Sequence, residues 1–493
     1  MILDHLPALQ VVVPLMAAPL IVLLRSGRAG WLIATLVSWF ALAVAVMLFM
    51  RVQSVGVISY AIGNWPPPWG IEYRVDALNA FVLVLVSLIA SVVLPYARTS
   101  IAAEVPADRH YLLYSMFVLC LCGLLGMAIT GDVFNIFVFL EISSLSGYVL
   151  IGLGRDRRAL HSAFQYLIMG TIGATFYIIG VGLLYLMTGT LNLADMTVRL
   201  AAVEETRPVR AALAFITVGL SLKIALFPLH VWLPGAYAGA PSAVVAFMAG
   251  TATKVSVYVM LRFVFGIFGV RLVLPDLHLL DMLMIFSAAA MITASLTALF
   301  QKDLKRLLAY SSVAQIGYIT LGLSLANNDG VTASVAHLFN HGITKAALFM
   351  LVGGIVLRVG TCQVDALAGL ARRMPVTCFG IVIAGLSLVG VPGTAGFITK
   401  WHLVLAALQD GQWWVVAVVG ASSLLAAAYV WRFVEVAYMQ PAPADAVTRS
   451  EAPLQMLVPA CAMVAACIYF GFETSFSLGG ARDAAAVLLG GLR

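Results

Sequence analysis

Fourteen largely apolar runs follow one another along this chain, most of them near the length of about 20 residues that a helix needs to cross a bilayer. In order they cover 8–24, 31–50, 75–96, 111–129, 133–153, 161–187, 209–230, 244–265, 277–300, 304–325, 331–357, 376–408, 413–438 and 454–472. Proline and glycine interrupt 209–243 and 376–408. Of the 493 residues 62% are hydrophobic and only 10% are charged, against about 25% charged in an ordinary soluble protein. Too few polar side chains exist to cover a soluble surface, and the mean hydropathy of +1.03 agrees. The sequence therefore predicts an all-α polytopic membrane protein. The same composition excludes disordered, collagen-like, coiled-coil and nucleic-acid-binding classes.

The six cysteines are Cys120, Cys122, Cys362, Cys378, Cys461 and Cys467. They form no CxxC pair with a matching His or Cys cluster, so they read as packing residues rather than zinc or iron–sulfur ligands. No glycine-rich nucleotide loop, flavin loop or haem motif is present, and neither a cofactor nor a metal is expected. Before the first run stand Asp4 and His5, without the basic segment of a cleaved signal, so the first helix is expected to be retained.

The formal charge of +6 fits basic anchors beside a membrane. Fifteen Lys and Arg fall in loops after odd-numbered runs: Arg25, Arg28, Arg98, Arg109, Arg155, Arg157, Arg158, Lys302, Lys305, Arg306, Arg358, Arg372, Arg373, Arg432 and Arg449. Nine fall on the other face, termini included. The excess predicts that odd loops face the cytoplasm and that both termini are external in a cell inner membrane. Pro66-Pro67-Pro68-Trp69 would then form a rigid outer loop anchored by its aromatic ring.

Four lysines remain, Lys223, Lys254, Lys345 and Lys400, and all lie inside apolar runs, as does Glu141. A charge at the bilayer centre costs from about 2.5 to well over 10 kcal/mol. Such residues are expected to face a polar interior, pair with one another and mark an ion or proton path; interhelical glue without transport is the bland alternative. Ser143, Ser144 and Ser146 follow Glu141 closely enough to hydrogen-bond it or to hold water. Asp132 reads as a helix N-cap at the membrane surface. Pro228 cannot donate to the carbonyl of Ile224, so the helix is expected to break just after Lys223. Around Lys254 stand Thr251, Thr253 and Ser256. His337, His341 and Lys345 are spaced i, i+4, i+8 and share one helical stripe, a relay pattern more than a metal site. Pro392, Gly393 and Gly396 break the twelfth run before Lys400. Two interrupted helices, each carrying a lysine, point to a transporter with inverted repeats.

The stretches TGDVFNIFVFLEISSLSGYVL, LKIALFPLHVWLPGAYAGAPSAV, KDLKRLLAYSSVAQIGY, HLFNHGITKAALFM and GVPGTAGFITKWHL resemble the antiporter-like membrane subunits of respiratory complex I, membrane-bound hydrogenases and Mrp-type cation/proton antiporters. GNWPPPWGIEYRVDALNAFVL and LAGLARRMPV look nearest to the D-type member of the Mrp antiporter subunits. The resemblance implies about fourteen transmembrane helices with two inverted five-helix repeats and helices 7 and 12 broken. It divides the chain into helices 1–3 (1–110), a first repeat (111–265), a second repeat (277–438) and a last helix with its tail (454–493). It makes Glu141 the helix-5 carboxylate, Lys223 its helix-7 partner and Lys254 the connecting lysine. His337 becomes the helix-11 histidine and Lys400 the terminal lysine, with His341 and Lys345 as further members. It implies no redox centre in this chain, and other membrane subunits, protons and Na⁺ as partners.

These expectations combine into a scheme. Burial disfavours an ammonium and a nearby carboxylate favours it. With Glu141 close, Lys223 stays charged; when a cation displaces that partnership, its proton leaves toward Lys254 and passes by water and the histidine stripe to Lys400. In a redox assembly, electron transfer in partner subunits would drive the same cycle. A passive assembly scaffold is the alternative from a different class.

Overall fold

The computed structural model describes residues 2–155, 157–203, 206–269, 278–442 and 451–490. It is helical almost throughout, and twelve helices among the described residues are long and apolar enough to cross a membrane. The chain is a multi-pass, all-α membrane protein. The helices are α1 (Leu6–Leu24), α2 (Gly27–Val55), α3 (Ala77–Glu104), α4 (His110–Ile129), α5 (Val133–Gly152) and α6 (Arg157–Thr188). A short α7 (Leu193–Leu200) leads to α8 (Arg207–Ile224), α9 (Trp232–Gly239) and α10 (Ser242–Leu261). After these come α11 (Leu279–Leu299), α12 (Leu304–Ser324) and α13 (Asn328–Val359). The rest are α14 (Pro375–Val389), α15 (Ala395–Gln409), α16 (Trp413–Val434), α17 (Leu454–Phe472) and α18 (Gly480–Leu489).

The seventh and twelfth expected runs are not continuous helices. α8 stops at Ile224, where Ala225 turns to a left-handed φ of +61°, and Trp232 of α9 donates its indole N–H to the carbonyl of Leu222 at 2.9 Å. In the twelfth run α14 ends at Gly390, φ +85°, and α15 begins at Ala395. Both breaks satisfy the last carbonyls locally, as a helix end away from water must. The sequence had no sign of the antiparallel hairpin β1 (Ile58–Ala61) and β2 (Glu72–Val75), which carries the proline segment in its connection. Trp65 and Trp69 there are exposed.

Contacts between connections sort the loops into two faces. On one, Gly27 lies against His110, and Arg432 donates to the carbonyls of Leu299 and Gln301 at 2.6 and 2.7 Å. Loops after the third, fifth, seventh, ninth and eleventh runs line one large cavity there. On the other, the Gly131 amide donates to Glu72 at 2.8 Å and Asn192 donates to the Glu72 carboxylate at 2.9 Å. His5 contacts Tyr60 at 3.0 Å, placing the start of the chain on that hairpin face. The odd loops thus do share a face. Arg449 of the basic set lies outside the described residues. Lys305, read from the sequence as a loop anchor, is buried and paired with Glu104 at 3.7 Å.

A set of backbone hydrogen bonds occurs twice. Val133 donates to Leu191 at 2.9 Å and Leu193 to Gly131 at 2.8 Å; Leu304 donates to Cys362 at 2.8 Å and Val364 to Lys302 at 2.8 Å, every position 171 residues on. Asp132 and Asp303 cap α5 and α12 through Asn135 N and Arg306 N at 2.7 and 2.9 Å. The first set lies on the hairpin face and the second on the cavity face.

Candidate functional site

Glu141 lies on the outward stripe of α5, between the exposed Val138 and Leu145. Its side chain keeps 24% of its surface, while Oε1 is buried and stands 3.9 Å from Lys223 Nζ. Lys223, in the last turn of α8 before the break, donates to Ser144 Oγ at 2.7 Å. α5 and α8 thus bring together the ion pair expected from the sequence, with a hydroxyl holding the ammonium end. A cavity of about 20 Å³, room for about one water, lies among Ser144, Lys223, Ala252 and Ser256. It connects the pair to α10.

Lys254 is 1% exposed and donates to the Ala249 carbonyl and to Thr253 Oγ1, the latter at 3.3 Å. Its helix crosses α13 where Gly250 and Gly342 meet: a Cβ on Gly342 would stand 2.9 Å from the Gly250 carbonyl oxygen. Such closeness needs glycine on both backbones. Lys254 on one of these crossing helices and His341 on the other are both buried. His337 and His341 stack with centroids 5.6 Å apart and planes 3° from parallel. Lys345 turns instead to α12, donating to the Leu308 carbonyl at 2.8 Å and to Ser311 Oγ at 2.5 Å. Neither ring nitrogen of His341 has a hydrogen-bond partner among the described residues.

His337 is held on both sides. Gln315 fixes its own amide by donating to the Leu388 carbonyl at 3.2 Å, so its oxygen accepts from His337 Nε2–H at 2.8 Å. On the other side Nδ1 faces Thr399 Oγ1 at 2.7 Å, and that hydroxyl also reaches the Gly396 carbonyl at 3.1 Å. A neutral ring accepts from the hydroxyl; a protonated ring donates to it while the hydroxyl turns to Gly396. Both charge states of His337 keep their bonds without moving a heavy atom.

Lys400 closes the series. It donates to the carbonyls of Leu388 and Val389 at 2.8 and 3.0 Å and to Ser423 Oγ at 3.0 Å, and its ammonium lies 4.3 Å over the Tyr318 ring. The carbonyls are the last of α14, so the negative end of that half-helix holds the cation. The two lysines stand on opposite sides of their breaks, Lys223 before and Lys400 after. An open groove of about 410 Å³, flanked by Trp401 and Leu424, reaches Lys400 from outside. Gln315, Tyr318, Thr399 and Ser423 were not singled out in the sequence. Ser311, Gln315 and Tyr318 at i, i+4, i+7 already shared one helical face and could have marked it. Among the described residues no group of three or more His, Cys, Asp or Glu is placed to hold a metal ion.

This fold, with buried cations beside two interrupted helices, defines an ion-translocating type of membrane subunit. Residues 130–426 match the family described as NADH:quinone oxidoreductase/Mrp antiporter, TM, and the chain belongs to that family of antiporter-like membrane subunits. It is 42% identical over 471 residues to NADH-quinone oxidoreductase subunit N of Desulforudis audaxviator (strain MP104C), covering 92% of this chain and 93% of that one. To the D-type Na(+)/H(+) antiporter subunit of Alkalihalophilus pseudofirmus (strain OF4) it is 31% identical over 428 residues, 86% of this chain and 85% of the other. A chain in the structure of the Mrp complex from Dietzia sp. DQ12-45-1b superposes with a TM-score of 0.88 at 27% identity, covering 99% of this chain and 98% of that chain.

Proposed function

We propose that this chain is the proton-translocating subunit of a multisubunit monovalent cation/proton antiporter, with Na⁺ as the exchanged ion. Protons pass along Glu141, Lys223, Lys254, His337 and Lys400, with His341 and Lys345 as further members. The observation that carries the reading is the file of buried polar groups from the Glu141–Lys223 pair, 3.9 Å apart, through α10 and α13 to Lys400. When Glu141 is drawn away by a competing cation, Lys223 loses its counter-charge and releases its proton toward Ser144, the small cavity and Lys254. His337 accepts and returns a proton with its bonds intact, and Lys400 receives it. Return of the Glu141–Lys223 pair resets the cycle; coupling is the difference in stability between two charge states.

The assembly is open at both ends of this file. Glu141 keeps an outward side on an exposed apolar stripe, and Lys400 lies at the foot of an open groove. Both fit neighbouring membrane subunits. The twice-occurring hydrogen-bond set, 171 positions apart and on opposite faces, supports fourteen spans with inverted halves at 111–265 and 277–438, between helices 1–3 (1–110) and the last helix with its tail (454–493). Its excess of Lys and Arg makes the cavity face cytoplasmic and leaves both termini external. A second reading, a proton-pumping subunit of a quinone-reducing redox complex, is favoured by the 42% identity to a subunit of that name. The test is the complex reconstituted in vesicles with a pH-sensitive dye. Proton movement on adding Na⁺ supports the antiporter; movement only on supplying an electron donor and a quinone supports the redox complex; none under either condition leaves a scaffold.

A further inference from the structure

A large cavity lies away from the file of lysines. It holds about 1400 Å³ on the face where the odd loops gather. Among its described lining residues are six cations, Arg155, Arg157, Arg158, Lys302, Lys305 and Arg306, against two carboxylates, Glu104 and Asp303. Both carboxylates are already engaged. Glu104 accepts from the Ser242 amide and hydroxyl, each at 3.0 Å, and faces Lys305. Asp303 caps α12 and accepts from Cys362 Sγ at 3.0 Å and Gln363 Nε2 at 3.2 Å. Among the described residues the cavity therefore carries more cationic than anionic side chains, beside the ends of apolar helices.

What it faces is set by α6. Arg157, His161 and Gln165, spaced i, i+4, i+8, line the cavity. The neighbouring stripe of the same helix, Leu160, Phe164 and Ile168, is 62%, 60% and 45% exposed. Phe300, 75% exposed, stands at the cavity's rim. One helix thus offers cations to a polar group and, directly alongside, an apolar track running down into the membrane. We propose that this cavity binds the phosphate headgroup of an anionic phospholipid, whose acyl chains lie along the Leu160–Phe164–Ile168 stripe. Basic pockets at the ends of membrane helices recognise headgroups by this pairing of charge and grease.

The test uses the complete complex in phosphatidylcholine vesicles carrying spin-labelled phosphatidylglycerol or spin-labelled phosphatidylcholine. The wild type is expected to immobilise the anionic probe in preference to the neutral one; equal immobilisation would overturn the proposal whatever the variants do. Neutralising Arg157→Gln together with Lys302→Gln is expected to weaken that preference about twenty-five-fold, at roughly fivefold per charge. Arg157→Lys with Lys302→Arg is expected to keep it. Full competition by millimolar inorganic phosphate would assign the site to the free anion. Loss of a partner subunit from the double variant with lipid preference unchanged would make the cavity a protein dock. Either result would remove the lipid from the site.

Discussion

At the residue scale, a buried ammonium is only as stable as the partners that replace water. Lys223 has one carboxylate and one hydroxyl, whereas Lys254, Lys345 and Lys400 have carbonyls and hydroxyls but no carboxylate partner among the described residues. Removing the carboxylate therefore acts on the first lysine of the file. Glu141→Ala and Lys223→Ala are each expected to reduce Na⁺-dependent proton exchange in vesicles to the background of empty ones while the complex still assembles; wild-type exchange in either would sink the scheme. Thr399→Val keeps the shape but leaves Nδ1–H of a protonated His337 without an acceptor, a loss of about 1–3 kcal/mol. Exchange should slow by about tenfold or more, and Thr399→Ser should restore it. The titratable residue types were legible in the sequence because charge in an apolar run stands out. The neutral partners were not, because a glutamine or threonine on a helix is ordinary until the facing helix is known.

At the element scale, the two interrupted helices follow from local chemistry that proline and glycine announce. What the break does follows from packing. α14 and α15 approach so closely that a Cβ on Gly396 would stand 1.8 Å from the Ser387 carbonyl oxygen. Gly396→Ala is expected to push the half-helices apart at a cost of about 1–3 kcal/mol or more, read as a lower thermal midpoint of the purified complex together with slower exchange. Lys400→Ala removes the cation from the end of α14. Loss of exchange in an assembled complex is the expected result, while normal exchange would confine this lysine to capping. The hairpin escaped the sequence because four-residue strands have too few positions to show a period beside long apolar runs.

At the scale of the whole molecule, the ends of distant helices are tied by buried pairs. Arg262, beyond α10, reaches Asp76 at 2.5 Å at the start of α3, where the same carboxylate caps Leu78 and Asn79 at 3.0 and 3.2 Å. Burial works against the charged Asp76, but the Arg262 guanidinium and the backbone amides outweigh it and hold the carboxyl below its ordinary 3.8. A depressed carboxyl contributes stability above its unfolded value and loses it as pH falls through the folded one. The tie should thus be fully present at neutral pH and fail only in acid below about pH 4. Asp76→Leu leaves Arg262 buried without its counter-charge and is expected to cost about 3–5 kcal/mol, measured as a lower thermal midpoint at pH 7. If the midpoint falls equally in the wild type and the variant between pH 6 and 3, Asp76 is not the titrating tie.

The sequence by itself determined that the chain crosses a membrane many times, where the crossing runs are interrupted, and which few residues bear charge inside them. These are local properties: hydropathy, helix period and breaker residues act within a turn or two of their own position. Tertiary structure alone decided that Lys223 meets Ser144 across 79 residues, that Lys345 turns to Ser311 rather than along its histidine stripe, and that Lys305 is buried. Those outcomes depend on how each helix is rotated against its neighbours. The packing of small residues at crossings such as Gly250 with Gly342 sets that rotation, and no stretch of one helix contains it.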